Sequence, residues 1–278
     1  CETAPVARCA ECLRATFPHW LARDADGQVH ELQQRALRAL SLPQRLVVPS
    51  ARAIPPFAAL GVAAERFRVV ENGVDVERLR TLPAPACGPG PLRVGYFGTV
   101  MPSKGLHVLL EAMAGLPREL ATLRVHGNTV PYHGDWSYAT RCFARLEPGA
   151  GVTYHGPYSL AELPRLLRDI DVLAAPALWH EAFGLTVREA LAAGRPVLVS
   201  RVGGLQDAVT DGVEGHVLPP GDVDAWRDAL LRLGRDRGEL RRLASGCRDR
   251  ARGFGAMAAD LLEVYADANA AARSAASA

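Results

Sequence analysis

The chain has 278 residues, of which 49% are hydrophobic and 22% charged, a composition that buries one large core or two ordinary ones and excludes the disordered and fibrous classes. Its 32 basic and 30 acidic residues leave a formal charge of +2 with no long run of either sign, which argues against a nucleic-acid partner. No apolar stretch approaches the roughly 18 residues that span a bilayer, and Cys1 to Arg14 lack a basic segment followed by an apolar one, so the expected location is the cytoplasm.

The chain opens at Cys1 without a methionine, on an irregular segment, and is expected to be a fragment whose beginning lies upstream. Cys1, Cys9 and Cys12 cluster there. The Cys9-x-x-Cys12 spacing is that of half a zinc site, but no fourth ligand is visible, and the expectation is reduced thiols without a metal. Cys87, Cys142 and Cys247 read as filler. Val29, Leu32, Ala36, Leu37 and Leu40 fall at the spacing of an amphipathic helix that Pro43 stops. A short strand is predicted from Leu46 to Val48, then an alanine-rich helix capped by Ser50 and ended by Gly61. Phe67 to Val70 reads as a second strand leading into the Asn72-Gly73 turn. Between Thr81 and Pro91 four prolines and two glycines suit neither helix nor strand, so 81–91 is expected to be an interdomain linker.

Beyond it the alternation becomes regular. Strands are predicted at Leu92 to Phe97, Ala121 to Val125, Val152 to Tyr154, Asp171 to Ala175 and Pro196 to Ser200, with helical segments between them. That rhythm, with strands apolar on both faces, predicts a doubly wound parallel α/β sheet with helices on both faces and ligands at the strands' carboxyl ends. Ser159 with Glu162 reads as a capping box, Gly194 as a helix stop and Asp222 as the cap of the Trp226 helix. A final alanine-rich helix begins at about Ala256.

Two loops carry chemistry. Gly98 to Gly105 follows the first of these strands and contains Lys104, the only lysine among 32 basic residues. Lysine is a compact point charge suited to phosphate, and this one stands at a helix start. The second loop, Pro176 to Gly184, turns into a helix at Gly184, where the Gly184 and Leu185 amides are unpaired and the helix dipole favours an anion such as a pyrophosphate. Glu189, in the second turn, has the acceptors for a ribose diol, and Glu181 could accept from sugar hydroxyls. The three Asp-x-Asp triplets, Asp24 with Asp26, Asp169 with Asp171 and Asp222 with Asp224, each have a turn, junction or capping explanation, and no catalytic metal is expected.

Glu181 to Glu189, with Gly194-Arg195-Pro196, resembles the E-x7-E motif of the family 4 retaining glycosyltransferases of the GT-B fold. Phe97-Gly98 through Lys104-Gly105 resembles their phosphate-binding loop. The resemblance extends to Asn72-Gly73-Val74-Asp75, Val202-Gly203-Gly204-Leu205 and Asp211 to His216, in the family's order, and so covers about Val29 to Leu230. It implies a GT-B type Rossmann-like domain at 92–255 that binds a nucleotide sugar. Before it would stand the remnant of an acceptor-side domain at 1–80, and after it a helix and tail at 256–278. It also implies Glu181 and Lys104 as catalytic residues. Implied donor-binding residues are Gly98, Thr99, Lys104, Gly156, Pro157, Glu181, Phe183, Gly184, Leu185 and Glu189, with Gly156 and Pro157 beside the base.

The reaction so implied transfers a sugar, with retention of configuration and without cofactor or metal, from a UDP-, GDP- or ADP-linked donor. The acceptor would be a saccharide, lipid or small molecule, with peripheral membrane association of the longer enzyme and little or no turnover by the fragment alone. A sugar-nucleotide epimerase or phosphorylase on the same fold, or a non-catalytic nucleotide-sugar-binding module, remains open. Many relatives carry an arginine where this chain has Thr99, and a glutamate where it has Gln206-Asp207; Asp207 is the candidate replacement as a helix-start cap. His19 and His30 lack the context of a catalytic histidine, and His126, His133, His155 and His180 read as structural or loop residues.

Overall fold

The protein is described here by a computed structural model over residues 6–16, 24–132, 134–146 and 151–276. It divides into two compact units, Cys1–Glu71 with Ala258–Ala278, and Asn72–Met257. His19, His133 and Cys1 lie outside the described residues.

In the first unit α1 (Val6–Thr16) packs on α2 (Ala25–Ser41) through Ala10, Ala25 and Val29. Asp24 starts α2 four residues ahead of the predicted run by accepting from the Gly27 amide. Two short parallel strands follow, β1 (Leu46–Val48) and β2 (Phe67–Val69), joined through α3 (Ile54–Ala59). Ser50 accepts from the Arg52 amide and caps the 3-10 turn Ala51–Ala53 that leads into α3 rather than α3 itself, and Val48, Val62 and Phe67 form the core below. α11 (Phe254–Ala276) brings Asp267 to both Arg45 and Arg68, at 2.7 and 2.9 Å.

The second unit begins with α4 (Val76–Arg80), capped by Asp75, and then builds a six-stranded, wholly parallel sheet. In chain order the elements are β3 (Leu92–Phe97), α5 (Leu106–Ala114), β4 (Ala121–His126), α6 (Ser137–Phe143), β5 (Val152–Tyr154), α7 (Leu163–Arg168), β6 (Val172–Ala175), α8 (Leu185–Ala192), β7 (Val197–Ser200), β8 (Gly215–Leu218), α9 (Val223–Arg235) and α10 (Arg237–Gly246). The sheet order is β5-β4-β3-β6-β7-β8, the doubly wound Rossmann-like arrangement. One face carries Val94 and Tyr96 against α5 and α9, the other Phe97, Leu173 and Val197 against α7 and α8. Both faces are covered, which is why the strands read as continuous apolar runs.

All five predicted strands form. The sixth, β8, carries no long apolar run; it pairs in parallel with β7, buries Val217, and approaches so closely that a Cβ on Gly215 would stand 1.9 Å from the Val197 carbonyl oxygen. Residues 81–91 fall inside the second unit. The carbonyls of Leu82, Pro83 and Cys87 there accept from Arg248, Arg195 and Arg241. Cys142 and Cys247 are buried filler. Among the described residues no helix is long and apolar enough to cross a membrane, and no group of three His, Cys, Asp or Glu side chains is placed to hold a metal ion.

Candidate functional site

β3 and β6 are neighbours in the sheet although other strands separate them in sequence. Chain segments leaving their carboxyl ends therefore diverge to opposite faces, and a crevice opens between them. Loop 98–105 leaves β3 and loop 176–184 leaves β6. The two are tied where they cross: the Ser103 carbonyl accepts from the Leu178 amide at 2.8 Å and the Trp179 amide at 3.2 Å. Gly105 sits there with φ at 69°, and a Cβ on it would stand 1.9 Å from the Pro176 carbonyl oxygen. Only glycine fits both the conformation and the contact. Next to this crossing Lys104, on the turn before α5, forms an ion pair with Glu181. The two residues predicted to be catalytic thus meet across 77 positions of sequence.

Gly184, with φ at 79°, is the N-terminal boundary of α8 and has no side chain to cap it, so the amides of the first turn, from the exposed Leu185 onward, have no partner within the helix. Behind this turn the double glycine has a steric cause. The Gly204 amide donates to the Glu181 carbonyl at 2.6 Å, and a Cβ on Gly203 or Gly204 would fall 2.2 Å from the Glu181 oxygen or 2.4 Å from the Ala182 oxygen. Asp207 lies in the last turn of the short helix Gly203–Ala208 rather than at its start, which follows Val202, so it is not the cap expected of it.

Sequence reasoning gave no role to Arg188. It is 4% exposed, stacks its guanidinium 3.4 Å over the Phe183 ring and donates to the Phe183 and Gly204 carbonyls. It locks the helix entry to the double-glycine turn. The available signal was an arginine between Val187 and Ala190 on a face otherwise apolar. Phe183 itself is buried beneath it.

At the ends of β3, β4 and β5 the loops are laced by their backbones: Gly98 donates to His126, Gly127 to Gly156 and His155 to Val125, each at 2.9 Å. Thr99 is half-buried, with its carbonyl accepting from the Tyr96 hydroxyl at 3.0 Å. Gly156, with φ at 80°, has open space beyond its Cα, and Pro157 beside it is exposed. Below them is an aromatic cluster. His126 and His155 stack with centroids 4.6 Å apart, and the Phe97 ring lies 5.7 Å from Tyr158.

Burial, reinforced by His155 and nearby arginines, pulls the His126 pKa from its ordinary 6.5 to about 4, and burial also lowers that of His155. Tyr158 is pushed up to about 12, by burial first and by the Glu189 charge second. The Glu189 carboxyl, half-buried and without a hydrogen-bond partner among the described residues, is raised above the usual carboxylate range by burial. A half-buried acceptor without a donor is suited to a ligand that supplies hydroxyl donors.

Residues 91–236 match the family described as glycosyl transferases group 1. The D-inositol 3-phosphate glycosyltransferase of Xylanimonas cellulosilytica is 32% identical over 265 residues, covering 88% of this chain and 62% of that protein. That of Saccharomonospora viridis is 34% identical over 234 residues, covering 76% of this chain and 52% of that protein. This chain therefore spans about half to three-fifths of the curated relatives it matches. Among solved structures, Anabaena HepE in complex with UDP and glucose superposes with a TM-score of 0.74 at 22% identity, over 84% of this chain and 67% of that one. The sucrose-phosphate synthase of Thermosynechococcus elongatus superposes with a TM-score of 0.70 at 25% identity, over 86% and 62%.

Proposed function

This chain belongs to the glycosyl transferases group 1 family, and from that premise we propose that it supplies the nucleotide-sugar site of a retaining glycosyltransferase of the GT-B type. The observation that carries the proposal is the Lys104–Glu181 pair at the crossing of the two loops, together with the α8 first-turn amides that no side chain caps. A donor's diphosphate would take Lys104 and the helix terminus as partners, because both oppose the negative charge that builds on the leaving oxygens. Lys104 would then exchange one anion for another, and the Glu181 carboxylate, released from it, would accept from hydroxyls of the transferred sugar. Glu189 would accept from the ribose diol, exchanging a poorly solvated environment for two donors. Gly98, Thr99, Gly156 and Pro157 would line the nucleotide, and no metal or cofactor takes part.

The solved HepE structure contains UDP, so UDP is the first nucleotide to try here, with GDP and ADP as comparisons. The acceptor would be a saccharide, lipid or small molecule, held chiefly by parts of the protein other than this site. Calorimetric titration of the chain with UDP, GDP and ADP tests the reading. One nucleotide is expected to bind, and Lys104→Ala and Glu189→Ala each to weaken it by about tenfold or more, the scale of a charge-assisted hydrogen bond. Binding unchanged by both substitutions would place the nucleotide elsewhere.

A further inference from the structure

The opposite end of the second unit's sheet holds a cavity of about 510 Å³, walled by the proline-rich stretch from Leu82 to Cys87, by Gly194 and by the side chains of Arg241 and Arg248. Arg93 and Asp171, paired at 2.6 Å, stand at the amino ends of β3 and β6, and Asp171 also faces Arg237 one turn before Arg241. The cavity thus belongs to the amino ends of the strands. Lys104 and Glu181 follow the carboxyl ends, roughly 20 Å away along a six-residue strand.

Two guanidiniums line this cavity, those of Arg241 and Arg248, and a third, that of Arg195, lies behind the Pro83 carbonyl of its wall; among the described residues none has a carboxylate partner. Arg241 and Arg248 each give hydrogen bonds to one wall carbonyl, of Cys87 and Leu82, and keep their remaining N–H groups. Arg195, next to Gly194 and 1% exposed, donates to the Leu167 and Pro83 carbonyls and leaves Nη1 buried without a partner. Asp171, the acid whose field reaches Arg195, is already taken by Arg93 and Arg237. A buried cation without a counter-charge is costly, and the cavity beside it is of the size that takes a small metabolite.

We propose that this cavity is a second binding site, in which Arg241 and Arg248 take the phosphate of a small phosphorylated metabolite while Arg195 supplies positive field from behind the wall. Arginine suits this because its planar fork meets two phosphate oxygens at once. The concave shape selects a free phosphate ester over a membrane headgroup. Because the wall is the segment from Leu82 to Cys87, occupancy would also fix that segment in place.

Calorimetric titration of the full chain with glucose 6-phosphate, alone and with saturating UDP, tests the proposal. Saturable binding is expected that UDP does not compete and Lys104→Ala does not alter, and that Arg241→Gln and Arg248→Gln each weaken by about tenfold or more. Absence of binding at millimolar concentration overturns it, as does displacement by UDP or indifference to both arginine substitutions. Should Arg248→Gln unfold the chain by releasing Leu82, Arg241→Gln decides alone, since Arg241 is exposed. Sedimentation with phosphatidic-acid vesicles in the absence of glucose 6-phosphate binding would move the site to a lipid and also overturn it. The donor-site reading does not enter this outcome, since its own substitutions lie at the other end of the sheet.

Discussion

Lys104 and His126 show how one side chain's environment decides its use. Lys104 is held against Glu181 by the backbone hydrogen bonds of the two crossing loops, so its charge is positioned before any ligand arrives. His126 is buried in the aromatic cluster and favours the neutral form, with its pKa near 4 against an ordinary 6.5. As pH falls the unfolded chain therefore takes up this proton before the folded one does. Stability that is intact above about pH 6.5 is lost progressively as pH falls toward 4. Replacing His126 by Phe is expected to reduce that loss by on the order of 2 kcal/mol, with His155 continuing to contribute. Urea unfolding at pH 5 and pH 7 measures it, and equal pH dependence in the two proteins would show that His126 is not held neutral.

Among the elements, the loops after β3 and β6 are the ones whose glycines are dictated by contact. Gly105 needs a left-handed φ of 69° and tolerates no Cβ beside the Pro176 oxygen. Gly105→Ala is accordingly expected to cost about 2 to 4 kcal/mol in urea unfolding, from strain and a clash against backbone that has no rotamer to escape into. The substitution should also separate the Ser103 carbonyl from the Leu178 and Trp179 amides and release Lys104 from Glu181. A stability change of a few tenths of a kcal/mol would mean that the crossing is loose. The helices carry milder determinants: Asp75, Asp222 and Asp236 each accept from an amide three residues on, at 3.1, 3.0 and 2.9 Å, and each cap contributes about 1 kcal/mol.

For the whole molecule, the order of six parallel strands places the crevice, and the crevice decides which distant segments respond together. Hydrogen exchange with and without UDP reads this directly. Protection is expected to rise at 98–105, 181–189 and 203–205, which are stitched together by hydrogen bonds within the second unit, and to stay constant at β1 and β2 in the first. Gains confined to segments outside the second unit would remove the switch point as the nucleotide site.

Local pattern was enough for the five apolar strands, the caps at Ser50 and Asp222, and the two loops, because strand burial, capping and glycine turns each leave a mark within a few residues. The resemblance carried by Glu181 to Glu189 and by the Lys104 loop singled out the residues that the fold assembles at one crossing. Tertiary structure alone decided β8, which pairs with β7 where a Cβ on Gly215 would meet the Val197 carbonyl, and the burial of Arg188, whose partners are carbonyls 5 and 16 positions away. It also decided the place of residues 81–91. Their composition disfavours helix and strand but says nothing about arginines more than 100 positions later that take up their carbonyls. Long-range contacts of this kind depend on where the sheet brings the chain back, and no local spacing encodes that.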